Sequence, residues 1–235
     1  MVGIGVVVPY DMALDRELWR WCPERVSLHL TRTPFEEIPV GIGQARAVGD
    51  PATVAEATRR VTLVEPDVVA YGCTSGSFVG GRAGEAALRE AMTGAGAKQA
   101  VTTSGALLRA VESLGVGSLA VVTPYPDEVG DRLVAFLGEA GVAVTGSANM
   151  GLTGRIWEVP DQATADLVRR TAEAGGDAVF VSCTNLPTYD VIAPLEAELG
   201  RPVLTANQVT MWAALLDAGV RGDELEADGQ RLFGG

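Results

Sequence analysis

The chain of 235 residues holds one histidine, His29, and three widely spaced cysteines, Cys22, Cys73 and Cys183, with no Cys-x-x-Cys pair. A structural zinc site takes about four nitrogen or sulfur ligands, so no metal is expected. An odd, scattered cysteine set is not a disulfide framework. A Cys–His catalytic pair would have to use His29, which stands in the alternating run Val26-Ser-Leu-His-Leu30 and reads as an ordinary strand residue. Cations are scarce: 18 Lys and Arg face 30 Asp and Glu, a net charge of −12. Nucleic acid, which needs a basic face, is therefore excluded as a partner. No apolar run approaches the roughly 18 residues of a membrane span. The N-terminus enters the strand-like run Ile4–Val8 with no basic n-region, so no signal peptide is read. A soluble, cytoplasmic protein with no membrane partner is the expectation.

What is present is hydrophobic residues, 47% against 20% charged, enough for one large α/β domain or two small lobes. Two stretches match: Asp67-Val-Val-Ala-Tyr-Gly-Cys73-Thr-Ser and Asp177-Ala-Val-Phe-Val-Ser-Cys183-Thr-Asn. Each is an aspartate, a mostly apolar run that reads as a buried strand, then a cysteine at its carboxyl end. A second pair, Val7-Val-Pro9-Tyr10 and Val122-Thr-Pro124-Tyr125, ends a strand with Pro-Tyr in each half. A third sets Ala100–Thr103 and Ser104 against Pro202–Thr205 and Asn207, the latter read as a helix cap. Strand and helix patterns alternate throughout. The prediction is an α/β fold of two pseudo-symmetric lobes, each a four-stranded parallel sheet flanked by helices, with the active site in the cleft between them.

The lobes are set at 1–115 and 116–220. The tail, 221–235, reads as polar and frayed, with packing back onto the first lobe as the alternative. Residues 33–49 read as a long loop and 74–81 as a loop of small residues suited to an anionic oxygen. Asp50-Pro51 starts a helix, with aspartate as cap and proline at the first position. Asp67 and Asp177 read as turn residues. Cys22 has no counterpart in the second half and reads as structural.

Together, Val-Val-Val-Pro9, Tyr-Gly-Cys73-Thr-Ser-Gly-Ser-Phe, Thr-Pro-Tyr125, Gly151-Leu-Thr-Gly154 and Val-Ser-Cys183-Thr-Asn resemble the aspartate/glutamate racemase superfamily. Within it they resemble the branch of maleate cis-trans isomerases and arylmalonate decarboxylases. The resemblance implies no cofactor, a small carboxylate as substrate and a site between the lobes. Two departures stand out. The isomerases' carboxylate-holding asparagine has no match in Pro9-Tyr10-Asp11-Met12, nor does a second one around 151–160. The decarboxylases carry glycine where this chain has Cys73, yet share the following Thr-Ser.

Two thiols on opposite faces of an α-carbon can act as base and acid and exchange roles, through an enediolate-type intermediate. A thiolate could instead add to a double bond, allow rotation and leave. A cysteine at a strand end is often only a small buried hydrophobe; two at matched places favour chemistry. The expected catalytic residues are Cys73 and Cys183. Pro9, Tyr10, Thr74, Ser75, Tyr125, Thr184 and Asn185 are expected to bind substrate. Trp157 is read as a residue that could roof the site, and Arg82 as the nearest cation for a second carboxylate. The leading reading is a racemase or isomerase of a small carboxylic acid. An arylmalonate-type decarboxylase using Cys183 as proton donor is one alternative, and a non-catalytic carboxylate-binding protein is another. The helix around Met211 and Trp212 is read as core or as the interface of a homo-oligomer.

Overall fold

A computed structural model describes residues 1–221, 224, 225 and 227–234. The first half runs β1 (Val2–Val8), α1 (Asp15–Leu18), β2 (Val26–Arg32), α2 (Ile42–Val48), α3 (Pro51–Val61), β3 (Val68–Tyr71), α4 (Thr74–Phe78), α5 (Gly81–Gly94), β4 (Ala100–Thr102) and α6 (Thr103–Ser113). The second runs β5 (Ser118–Thr123), α7 (Asp127–Glu139), β6 (Ala143–Asn149), α8 (Asp161–Ala172), β7 (Ala178–Val181), α9 (Tyr189–Leu199), β8 (Val203–Thr205) and α10 (Ala206–Asp217). The strands form two four-stranded parallel sheets, ordered β2-β1-β3-β4 and β6-β5-β7-β8. Helices cover both faces, and every residue of β3 and β7 is buried. That is why these strands read as unbroken apolar runs rather than alternating ones.

Matched contacts start the central strands. Asp67 accepts the Gly3 N–H at 3.0 Å. Asp177 accepts the N–H groups of Gly117 and Ser118, both at 2.9 Å. The repeated aspartates thus tie β1 to β3 and β5 to β7 at the amino ends of the sheets, far from the cysteines. Between the lobes α6 packs along α10, where the buried hydroxyls of Thr103 and Thr210 bond at 2.8 Å. Both helices follow the last strand of their sheet. Met211 and Trp212 lie in the interior of this chain.

The structure corrects the sequence reading at four places. Residues 42–48 form α2 inside the expected loop, with Gln44, Ala45 and Val48 buried. Their spacing is helical, but Pro39 and Gly41 before the helix and Gly43 within it hide it. The expected small-residue loop after Cys73 is the short helix α4, followed directly by α5. Asn207 is not the cap of α10; that position belongs to Thr205, whose N–H bonds the Gln208 side chain at 3.2 Å. The tail is packed rather than frayed across its last described stretch. Leu232 and Phe233 are buried, and Gln230 Oε1 accepts from Trp21 Nε1 at 3.0 Å and Gln208 Nε2 at 2.9 Å. Gly222, Asp223, Glu226 and Gly235 lie outside the described residues. No helix among the described residues is long and apolar enough to cross a membrane.

Candidate active site

Cys73 caps α4 in an extended conformation, φ −145°, and its Sγ accepts the Gly76 N–H at 3.4 Å. Two glycines permit this. A Cβ on Gly76 would collide with the Tyr71 hydroxyl, and one on Gly49 would collide with the Gly76 carbonyl. The carboxyl end of α2 therefore lies directly on the Cys73 turn, and the Tyr71 hydroxyl locks it there by bonding the Val48 carbonyl at 2.6 Å.

Cys183 ends the equivalent strand differently. Its φ is +90°, a region that residues with a Cβ avoid. Its Sγ accepts the Asn185 N–H at 3.4 Å. Contacts from the first lobe hold the turn. Thr184 Oγ1 donates to the Gly72 carbonyl at 3.1 Å. The Asn185 amide accepts the Ala13 N–H at 2.8 Å and donates to the Asp11 carbonyl at 2.9 Å. Asn207 Nδ2 donates to the Thr184 carbonyl at 2.9 Å and to Glu17 Oε1 at 3.0 Å. Glu17 also accepts from the N–H and the hydroxyl of Thr188, each at 3.1 Å, capping α9 from across the cleft.

Both thiols line one cavity of about 30 Å³. Cys73, Thr74 and Ser75 form one side, Cys183, Thr184 and Asn185 the other, and Pro9 and Tyr125 contribute from the ends of β1 and β5. Val40, Val48 and Ile156 make an apolar wall, while Gln44 and Asp11 bring polar groups. The space holds one or two water molecules, so a substrate must part the segments bearing Val40 and Ile156. These are clasped by one backbone bond, Val40 N–H to the Thr153 carbonyl at 3.0 Å. A larger open groove of about 680 Å³ lies between α5, α6 and Gly141 and contains neither of the paired cysteines. Much of its charge is spent in ion pairs, Arg89 with Glu85 and Arg109 with Asp217, whereas the small cavity brings the two matched thiols together.

Burial dominates the electrostatics. It pushes the Cys183 thiol up to about 12, against partial relief from the Tyr125 hydroxyl and the Asn185 N–H. It raises Cys73 too, opposed by the Gly76 N–H, Tyr71 and Ser75. Tyr125 is driven well above its ordinary range by the same cause, and Asp11 is raised by burial against a bond from Gln44. Burial thus favours the protonated thiol over the thiolate at both positions. Thr74 Oγ1 is buried without a hydrogen-bond partner. Of the buried side-chain atoms in that state among the described residues, Thr74 Oγ1 belongs to a residue lining this cavity, where a ligand oxygen could meet it.

Of the residues singled out from the sequence, Pro9, Cys73, Thr74, Ser75, Tyr125, Cys183, Thr184 and Asn185 line the cavity. Tyr10 does not. Its ring stands edge-on to Phe35 and its hydroxyl donates to the Ile38 carbonyl at 3.2 Å. The Thr184 hydroxyl and the Asn185 amide are occupied in holding the turn. Arg82 lies on the open groove, and Trp157 is exposed while its neighbour Ile156 reaches the cavity. Sequence reasoning passed over Asp11, Val40, Gln44, Val48 and Ile156. Only Asp11, beside Pro9 in a stretch already of interest, carried a usable signal.

Comparison with known proteins bears on this geometry. The arylmalonate decarboxylase family model matches residues 49–233. An arylmalonate decarboxylase of Bordetella bronchiseptica is 35% identical over 193 residues, covering 79% of this chain and 80% of that protein. A maleate isomerase of Nocardia farcinica is 26% identical over 226 residues, covering 90% and 88%. The chain superposes on a liganded arylmalonate decarboxylase, in which a cysteine replaces a glycine and a serine replaces a cysteine, with a TM-score of 0.90 and 31% identity over 99% of both chains. It superposes on a cysteine-to-serine variant of the N. farcinica maleate cis-trans isomerase, which carries a covalently bound succinylcysteine intermediate, with a TM-score of 0.87 and 22% identity over 99% of this chain and 98% of that one. These relatives are enzymes, and on the family match the chain belongs to the arylmalonate decarboxylase family.

Proposed function

We propose that this protein is a cofactor-independent racemase or isomerase of a small carboxylic acid, with Cys73 and Cys183 as its two proton-carrying groups. The observation that carries the reading is the convergence of both thiols, from equivalent strand ends, on one cavity with the unpartnered Thr74 hydroxyl. The substrate carboxylate bonds Thr74 Oγ1, with Ser75 close by. One thiol first gives its proton to solvent, and the resulting thiolate takes the α-proton and becomes a thiol again. The electron pair moves onto the carboxylate to give an enediolate, whose added charge is met by the Thr74 and Tyr125 hydroxyls. The opposite thiol returns a proton to the other face and becomes the thiolate. Charge is conserved, and the reverse reaction begins from the other protonation state. For an unsaturated acid the same thiolate adds to the double bond, the new single bond rotates, and the thiolate leaves.

A second reading, decarboxylation of a substituted malonate, is favoured by the apolar wall of Val40, Val48 and Ile156 and by the high pKa of the Cys183 thiol. A desolvated carboxylate leaves as carbon dioxide, and a thiol held protonated delivers the proton to the carbanion. Proton NMR in heavy water with 2-arylpropionates, aspartate, glutamate, maleate and phenylmalonate separates the two. Deuterium entry at the α-carbon with loss of optical activity, or fumarate formed from maleate, supports the first reading if Cys73→Ala and Cys183→Ala both abolish it. A fully active Cys73→Ala enzyme that releases carbon dioxide from phenylmalonate sinks the two-thiol mechanism and establishes the second.

A further inference from the structure

Asp11 follows Pro9 in the connection from β1 to α1 and lines the cavity that both cysteines share. Its backbone cannot swing away, because the Asn185 amide grips the Asp11 carbonyl and the Ala13 N–H at 2.9 and 2.8 Å. Its carboxylate, by contrast, is poorly compensated. Gln44 Nε2 donates to Oδ2 at a long 3.3 Å and divides itself with the Tyr10 hydroxyl at the same distance. Arg32 attracts the carboxylate weakly, since its Nη1 is turned to the Met12 carbonyl at 2.6 Å. Among the described residues Asp11 makes no ion pair, and no lysine or arginine lines the cavity.

We infer that Asp11 is a specificity-determining residue that restricts this site to monocarboxylates and rejects dicarboxylates. The inference rests on the proposed reading of the cavity as a carboxylate site. One substrate carboxylate has a place at Thr74 Oγ1. A second enters a site whose only charged lining residue, among the described residues, is Asp11, so it meets that carboxylate with no counter-charge on the wall. Two like charges about 5 Å apart at an effective dielectric near 20 repel strongly enough to change affinity by a factor on the order of a hundred. Asp11 already acts on its surroundings in this sense, adding to the rise of both thiols. Maleate and arylmalonates, for which the relatives are named, are dicarboxylates. This chain keeps their fold and sets a carboxylate of its own on the wall of the cavity that would receive the second one.

The test uses matched acids that differ by one carboxylate: 2-phenylpropionate against 2-methyl-2-phenylmalonate, and propionate against methylmalonate. Dissociation constants are measured calorimetrically at pH 8 for the wild-type protein and for Asp11→Asn, which preserves shape and removes charge. The wild-type protein is expected to bind each monocarboxylate at least tenfold tighter than its partner. Asp11→Asn is expected to tighten dicarboxylate binding on the order of a hundredfold and to change monocarboxylate binding by only a few-fold. Equal wild-type affinity within the pairs overturns the inference even if the variant fails to fold. A variant that shifts both members of a pair alike also overturns it, and the carboxylate reading of the cavity then stands. If no acid of either pair binds the wild-type protein, the carboxylate reading itself fails and takes this inference with it.

Discussion

Replacing each paired cysteine by alanine and by glycine should give opposite stability orders at the two sites. All four variants lose the thiol, so at each site the difference between alanine and glycine isolates the backbone. At Cys73, with φ −145°, any residue is comfortable. Glycine there loses more chain freedom on folding, and alanine should be the more stable by about 0.5–1 kcal/mol. At Cys183, with φ +90°, a Cβ is strained. Strain of this kind is worth about 1–3 kcal/mol, so after the entropy term glycine should win by roughly 0.5–2 kcal/mol. For a chain of this size each kcal/mol moves the melting temperature by about 2–4 °C. Cys183→Gly should therefore melt about 1–8 °C above Cys183→Ala, and Cys73→Gly about 1–4 °C below Cys73→Ala. Circular-dichroism melts, confirmed by urea titration, read the difference. If Cys183→Ala proves as stable as Cys183→Gly, the turn is unstrained and the reasoning fails. If the orders are opposed, the second thiol is held in place at the expense of stability, as expected of a group kept for chemistry.

Three further outcomes follow from the same turn. Glu17→Ala removes the acceptor of three bonds across the cleft and should destabilise by about 2–4 kcal/mol, a fall in Tm of roughly 5–15 °C. Burial raises the Glu17 carboxyl above its ordinary range, so its favourable contribution is full at acid pH and is lost as pH climbs through the raised value. The stability of the wild-type protein relative to Glu17→Gln should thus fall as pH rises above about 4.3, and urea titrations showing the opposite slope would falsify the assignment of burial as the cause. With its thiol pushed up to about 12, Cys183 should alkylate slowly with iodoacetamide at neutral pH, and faster with each pH unit past the point, about 8.5, where free cysteine levels off. Peptide mass spectrometry measures the rate, and rapid neutral labelling would mean that a thiolate already exists in the free enzyme.

The repeats were legible because both halves bury the same elements. Val68–Tyr71 and Ala178–Val181 are covered on both faces and could be read only as core strands. The cysteines at their carboxyl ends could be located from topology alone, since parallel sheets present that edge to a ligand. What escaped is what tertiary contact decides. The helix Ile42–Val48 is short and glycine-bearing, and its propensity is outweighed until Gly49 lies against Gly76. Val40 and Ile156 reach the cavity from irregular segments that carry no period to read. Tyr10 and Tyr125 share a motif, but only Tyr125 turns inward, because Phe35 and the Ile38 carbonyl offer Tyr10 another partner. Asn207 looked like a cap because asparagine favours that role; its amide instead spans from Glu17 to the Thr184 carbonyl.

The bond from Trp21 to Gln230 joins residues 209 positions apart, and Arg25 and Glu224 reinforce it at 2.7 Å. During synthesis the first lobe emerges early, yet one of its core side chains waits for a partner 209 positions further along the chain. The Cys183 turn, in the same way, stays loose until Asn185 finds residues 11–13. The protein therefore cannot complete one lobe and then the other as independent units while it is being made. Cutting the chain before Gln230 will act on the amino-terminal lobe, because Trp21 loses its partner and the buried Leu232 and Phe233 are removed with it.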